Sequence, residues 1–152
     1  MAITFHNQDC DFRPAGRPNI SVWIKDTIIA EGYRVGDIAY IFCSKAYHLD
    51  VNRKYLGHDY YTDVITFDYS DLIESKVISG DIFIDPETVR EYAADWGTAP
   101  NEELMRVIIH GVMHLCGYGD KSDAEKKIMR SREEHYLKRY LNKFDSYPAF
   151  KL

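Results

Sequence analysis

Residues 98–120 constrain the fold of this chain more than any other stretch. Thr98-Ala99-Pro100 opens a helix, and Leu104, Val107, Ile108, Val112 and Leu115 then recur at the i, i+3, i+4 spacing of a buried helical face. The same helix carries His110 and His114. Four positions apart, their side chains rise one above the other on one face, so two imidazoles can grip one ion. Gly117 is placed to end the helix in a left-handed conformation and to send the chain back, which returns Asp120 as a third ligand. An H-x-x-x-H pair alone is commonly an ordinary helical pair, but the glycine and Asp120 turn the balance toward a divalent metal site.

The other elements fall around this helix in a definite order. Ile3–Phe5 alternates as a short strand, and the run through Pro14, Gly16 and Pro18 breaks it. A helix capped by Asn19 or Ser21 follows, with Val22, Trp23, Ile28 and Ile29 near helical spacing and Gly32 past its end. Ile38, Tyr40 and Phe42 alternate along a strand from Asp37 to Cys43, after which Ser44 caps a helix reaching about Tyr55. Gly57–Tyr60 turns into a strand over 62–67, and 80–84 forms its antiparallel neighbour. Asp85-Pro86-Glu87 signals a helix over 86–96, and Ser122–Glu125 is a capping box opening a last helix to about Asn142. In that last helix Ile128, Met129, Tyr136, Leu137, Tyr140 and Leu141 make the apolar side. The expectation is a single α+β domain over 1–152, with about four strands in one mixed sheet packed with helices, the histidines on a late helix, and a loose tail after about residue 143.

Charge and cysteine usage narrow the function classes. The net charge of −5 argues against indiscriminate nucleic-acid binding, yet residues 1–120 hold 10 Lys and Arg against 19 Asp and Glu, whereas 121–143 hold 8 against 4. The last helix can therefore meet phosphates, or it is simply a solvated face. Cys10, Cys43 and Cys116 are odd in number and lie in unrelated contexts, which argues against a disulfide framework, and Cys116 is expected as a small buried residue off the ligand face. With no leader pattern and no long apolar run, the chain reads as cytoplasmic, with no membrane partner. His6, His48, His58 and His135 read as surface or packing residues, and Asp63 and Asp81 as structural acceptors near strand ends.

Three protein ligands leave a position for water, the arrangement of a catalytic rather than a structural zinc site, and hydrolysis is the natural chemistry. The segment is also similar to the H-E-x-x-H helix of zinc peptidases, whose glutamate is the general base. Here that position is Gly111, which argues against proteolysis.

His110, Gly111, His114, Leu115, Gly117 and Tyr118 resemble the H-G-x-x-H-L-x-G-Y-D-H signature of the YbeY family of bacterial metal-dependent endoribonucleases. The resemblance continues through Leu49–Asn52, through Thr62-Asp63-Val64-Ile65-Thr66-Phe67, through Gly80-Asp81-Ile82 and to Met129, and so covers most of the chain. It implies an α+β domain, one zinc ion or another divalent metal, and hydrolysis of RNA phosphodiester bonds in ribosomal RNA maturation and ribosome quality control. It also implies ribosomal RNA precursor as substrate, with the ribosome or a ribosomal protein as partner. The chain departs from the family twice. Asp120 and Gly119 stand where the signature has its third histidine and the preceding aspartate, and Leu56 stands where the family has an arginine that contacts RNA phosphate. A carboxylate still ligates zinc, although two histidines with a carboxylate are also the ligand set of non-haem iron oxygenases. Arg53 and Lys54 are the available replacements for the arginine. The competing readings are a metal-dependent peptidase or amidase, and a ribosome-assembly factor with a structural metal.

Overall fold

A computed structural model describes residues 2–58 and 62–150, so the turn expected over 57–60 falls partly outside the described residues. The order is β1 (Ile3–Gln8), α1 (Arg17–Ala30), β2 (Arg34–Cys43), α2 (Lys45–Leu56), β3 (Val64–Asp68), β4 (Val77–Ile84), α3 (Pro86–Trp96), α4 (Pro100–Leu115) and α5 (Asp123–Phe144). The four strands form one mixed sheet in the order β1-β2-β4-β3, with β1, β2 and β4 parallel and β3 antiparallel to β4. This is the α+β domain expected from the sequence.

The strand alternation carries through to burial. Ile38, Tyr40 and Phe42 of β2 and Ile78, Ile82 and Ile84 of β4 are all at most 1% exposed, and they form the floor of the core. The central helix α4 lies on this floor against β3 and β4, with α1, α3 and α5 around it. Tyr40 crosses from sheet to helix and donates its hydroxyl to the Ile108 carbonyl at 3.0 Å, which satisfies a phenol that would otherwise be buried unpaired. Trp23 of α1 does the same for α5, its Nε1 donating to the Tyr136 carbonyl at 2.8 Å.

Gly111 shows why α4 sits so close to the sheet. A Cβ added there would come within 2.8 Å of Ile82 Cδ1, and further on Leu115 packs over Gly80, so α4 runs antiparallel to β4. Position 111 therefore faces the core, and no side chain there can reach the cleft that the histidines face. The missing glutamate is a consequence of packing as well as of chemistry. Gly111→Ala is expected to lower stability by about 1–3 kcal/mol through overpacking, read from the urea midpoint, and an unchanged midpoint would mean that α4 can lift from β4 without loss.

Several expectations are corrected in detail. Helix α1 begins at Arg17 and not after Asn19 or Ser21, with Gly16 as N-cap at φ 67 and no side-chain cap. Pro18 lies in the first turn, where its missing N–H leaves no hydrogen bond unmade, so the proline admits the helix instead of delaying it. β1 runs on to Gln8 and β2 starts at Arg34, because each pairs in parallel with a neighbour beyond the alternating run. Val22, Ile29 and Ile128 are exposed on their helices. The segment after α5, expected to be loose, packs back: Phe150 joins the core cluster and Tyr147 stacks on Tyr140 at 5.8 Å. No described helix is long and apolar enough to cross a membrane.

Candidate metal centre

Helix α4 ends in a Schellman motif. Cys116 is the C-cap, Gly117 has φ 99, and the amides of Gly117 and Tyr118 donate to the carbonyls of His114 and Met113, each at 3.0 Å. The chain is thereby turned back over the last helical turn, and Ser122 starts α5 with a complete capping box. Asp120, on the short connection, ends beside both histidines: its Oδ2 lies 3.2 Å from His110 Nε2 and 3.2 Å from His114 Nε2. Among the described residues these three side chains form a group able to hold a metal ion, with all donor atoms within 4.8 Å of one another.

The opposite nitrogens of the two rings are already occupied. His110 Nδ1 is 2.6 Å from Glu133 Oε2, and His114 Nδ1 is 2.9 Å from the Tyr118 carbonyl oxygen. Both partners are acceptors, so each Nδ1 carries the proton, and a ring that is neutral presents an Nε2 lone pair to the Asp120 carboxylate. Three converging lone pairs repel unless a cation lies among them, and two imidazoles with a carboxylate suit a divalent ion. The donor set thus fits a metal, with Glu133 and the Tyr118 carbonyl as the outer partners that fix the ring tautomers.

The charge around the rings favours a cation at this point, whether a proton on His110 or a metal ion. Burial pulls the His110 pKa down, but the hydrogen-bonded Glu133 carboxylate, with Asp120 and Asp63 nearby, outweighs it and the net shift is upward. Burial and the adjacent His110 push the His114 pKa down. The site is a concentration of negative charge around two imidazoles. Asp63 has its own carboxyl pushed up, by burial above all. Cys116 is buried, with its thiol pushed up to about 12 by burial, and is not among the three.

The histidines open into a cleft of about 760 Å³. Asp63, Thr66 and Asp68 line one part of it, and Glu103, Arg106 and Glu133 another. Leu56 is on its wall, but Arg53 and Lys54 are not, since they line a separate depression on α2 with Tyr47 and Tyr55. Among the described residues, the cations that line the cleft are Arg106, Lys121 and Arg130. Arg106 is held in ion pairs, 3.3 Å from Glu133, 2.7 Å from Glu134 and 4.0 Å from Glu103. Asp81, read as structural, accepts from the Tyr69 hydroxyl at 3.3 Å. His48 is buried with Nε2 on the Phe83 carbonyl at 3.0 Å, a packing role. Sequence reasoning missed Glu133, Arg106 and the cleft position of Asp63.

The loop that carries Tyr118 is anchored from behind. Its hydroxyl donates to Glu31 Oε1 at 2.6 Å, and Arg132 and Tyr136 bind the same carboxylate. Burial raises the Glu31 pKa, but the hydrogen bonds from Tyr118, Tyr136 and Arg132 outweigh it and the net shift is downward. A folded-state pKa below the unfolded one stabilises the fold above the ordinary value of 4.5, and that contribution is lost as pH falls through the folded value. Glu31→Gln is therefore expected to be less stable near neutrality and to lose less stability than wild type between pH 5 and the folded value, as read by urea unfolding at stepped pH. Parallel pH curves for the two proteins would exclude this role.

Comparison with known proteins adds relatives to this geometry. The family model described as Endoribonuclease YbeY matches residues 11–141. An Endoribonuclease YbeY of Parabacteroides distasonis is 48% identical over 137 residues, spanning 90% of this chain and 94% of that protein. One from Flavobacterium psychrophilum is 47% identical over 132 residues, spanning 87% and 92%. The solution structure of a Thermotoga maritima protein aligns with TM-score 0.63 at 23% identity, covering 93% of this chain and 91% of that one, a likeness of fold.

Proposed function

Since the chain belongs to the YbeY endoribonuclease family, we propose that it is a zinc-dependent endoribonuclease that hydrolyses phosphodiester bonds of ribosomal RNA precursor. The observation that carries the metal chemistry is the convergence of His110 Nε2, His114 Nε2 and Asp120 Oδ2 while both Nδ1 atoms are held by acceptors. His110, His114 and Asp120 would hold a divalent ion, which would supply Lewis acidity for polarising a phosphoryl oxygen and acidifying a water. Glu133 and the Tyr118 carbonyl keep both Nε2 atoms facing the cleft. Asp63 lines the same cleft, its carboxyl pushed up by burial above all. Lys121 and Arg130 line the same cleft and supply the positive charge that a phosphate needs beside these carboxylates.

The role extends to ribosomal RNA maturation and ribosome quality control in the cytoplasm, with the ribosome or a ribosomal protein as partner. The acidic excess of residues 1–120 suits docking on a basic ribosomal protein. The test is cleavage of a labelled ribosomal RNA precursor fragment by zinc-loaded protein, with and without chelator, beside an unstructured protein substrate. Chelator-sensitive RNA cleavage with the protein substrate intact is the expected result. Proteolysis with RNA untouched would overturn the proposal in favour of a peptidase.

A further inference from the structure

We propose that Trp96 is a nucleobase-stacking subsite of the cleft, taking the flat face of an unpaired base of the strand whose phosphates meet Lys121 and Arg130. The inference rests on the RNA reading above and names a part of the site which that reading does not use. Trp96 is the last residue of α3, held at the surface by the turn at Gly97, and it is 60% exposed. Its ring lies 5.3 Å from that of Tyr92 at 32°, so the indole is propped from within its own helix. Single exposed apolar residues are ordinary, but this one lines the same cleft as the candidate metal-binding triad, as does Leu56, itself 42% exposed. The cleft thus offers apolar surface from the ends of α2 and α3, and donor atoms from α4 and the connection to α5.

Charge limits where a phosphate can sit. The lining includes Asp63, Asp68, Glu103 and Glu133, which oppose any anion, and Arg106 is already engaged by carboxylates. Lys121 and Arg130 supply the exposed positive charge. Arg130 Nε is 3.7 Å from Glu134, an exposed pair of little worth, so turning toward a phosphate sacrifices almost nothing. Phosphate contacts fix a strand without choosing its structure, whereas an aromatic platform accepts bases that are not already stacked on both faces. A wall with an exposed indole beside a cationic rim is the arrangement that binds single strands.

The test uses zinc-loaded full-length protein and three ten-residue probes, namely single-stranded RNA, the same sequence as a duplex, and an abasic ribose-phosphate strand. Trp23 is buried at 3% exposure, so a change in tryptophan emission on rapid mixing reports Trp96. Single-stranded RNA is expected to quench it, and the duplex and the abasic strand are expected not to. Trp96→Ala is expected to raise KM for single-stranded RNA by about 5- to 100-fold, with kcat little changed and Trp96→Tyr recovering most of the loss. Wild-type cleavage with an unchanged KM in Trp96→Ala, or an equal KM rise on the abasic strand, would overturn the stacking subsite and leave the endoribonuclease reading standing. Absence of RNA cleavage by the wild type would overturn both.

Discussion

Glu133→Ala is expected to damage stability and metal binding together. The Glu133 side chain is 6% exposed and serves two partners, accepting from His110 Nδ1 at 2.6 Å through one oxygen and from Arg106 at 3.3 Å through the other. Truncation leaves the Arg106 guanidinium, 8% exposed, facing one fewer carboxylate, with its Nε already lacking a hydrogen-bond partner. It also strands the His110 Nδ1–H. Removing one partner of a buried pair typically costs about 3–5 kcal/mol, and Glu134 at 2.7 Å and Glu103 at 4.0 Å should hold the loss near the lower end. Metal affinity should fall by about 10- to 100-fold, the usual result of removing the outer acceptor of a ligating histidine.

Glu133→Gln separates the two roles. Its amide oxygen can still accept from His110, but its NH2 then faces Arg106, donor against donor. This variant should keep most of the metal affinity while losing stability. Chemical unfolding of the zinc-free proteins gives the first quantity, and competition with a zinc-binding dye gives the second. Wild-type stability and affinity in Glu133→Ala would show that the bridge between α4 and α5 is dispensable.

How much of this could be read beforehand differs from residue to residue. The triad was legible because its three members lie within eleven residues, and helix geometry with one glycine determines how they meet. Caps written into side chains were equally legible, as at Ser44, Asp85 and Ser122, each of which accepts the expected backbone hydrogen bond. Gly16 was not, since an N-cap without a side chain leaves no signal and the nearby Pro18 resembles a break. Glu133 belongs to a different helix from His110 and meets it only through the packing of α5 on α4, which local periodicity does not specify. There was still a trace of it: Glu133 falls between Met129 and Tyr136-Leu137 on the apolar stripe of α5, where a carboxylate requires a buried partner. Arg106 leaves the same trace, four residues before His110. Arg53 and Lys54 were chosen for their closeness in sequence to Leu56, but they line a separate depression on α2, and of the three only Leu56 lines the cleft.

His114→Ala should abolish metal binding at micromolar zinc and lower RNA cleavage by roughly 10³-fold or more, the effect of withdrawing several kcal/mol of Lewis-acid stabilisation. It should nevertheless fold. His114 lies in the last turn of α4 with 27% of its side chain exposed, and its partners are the Tyr118 carbonyl and Asp120, both on the same loop. The core side of that turn is held by Leu115 and Met113, each fully buried, and the loop is tied separately through Tyr118 to Glu31. Circular dichroism and the unfolding midpoint of the zinc-free proteins should therefore change little beside the loss of activity. This contrast separates an enzyme from an assembly factor whose metal is structural, for which metal and fold would be lost together. Asp120→Ala tests the third ligand in the same way. Its side chain is 39% exposed, so a folded protein with little zinc is expected, and Asp120→His, which restores a donor, should bind zinc again. Full zinc occupancy in Asp120→Ala by elemental analysis would remove Asp120 from the site and leave a two-histidine centre that must draw its remaining ligands from elsewhere in the cleft.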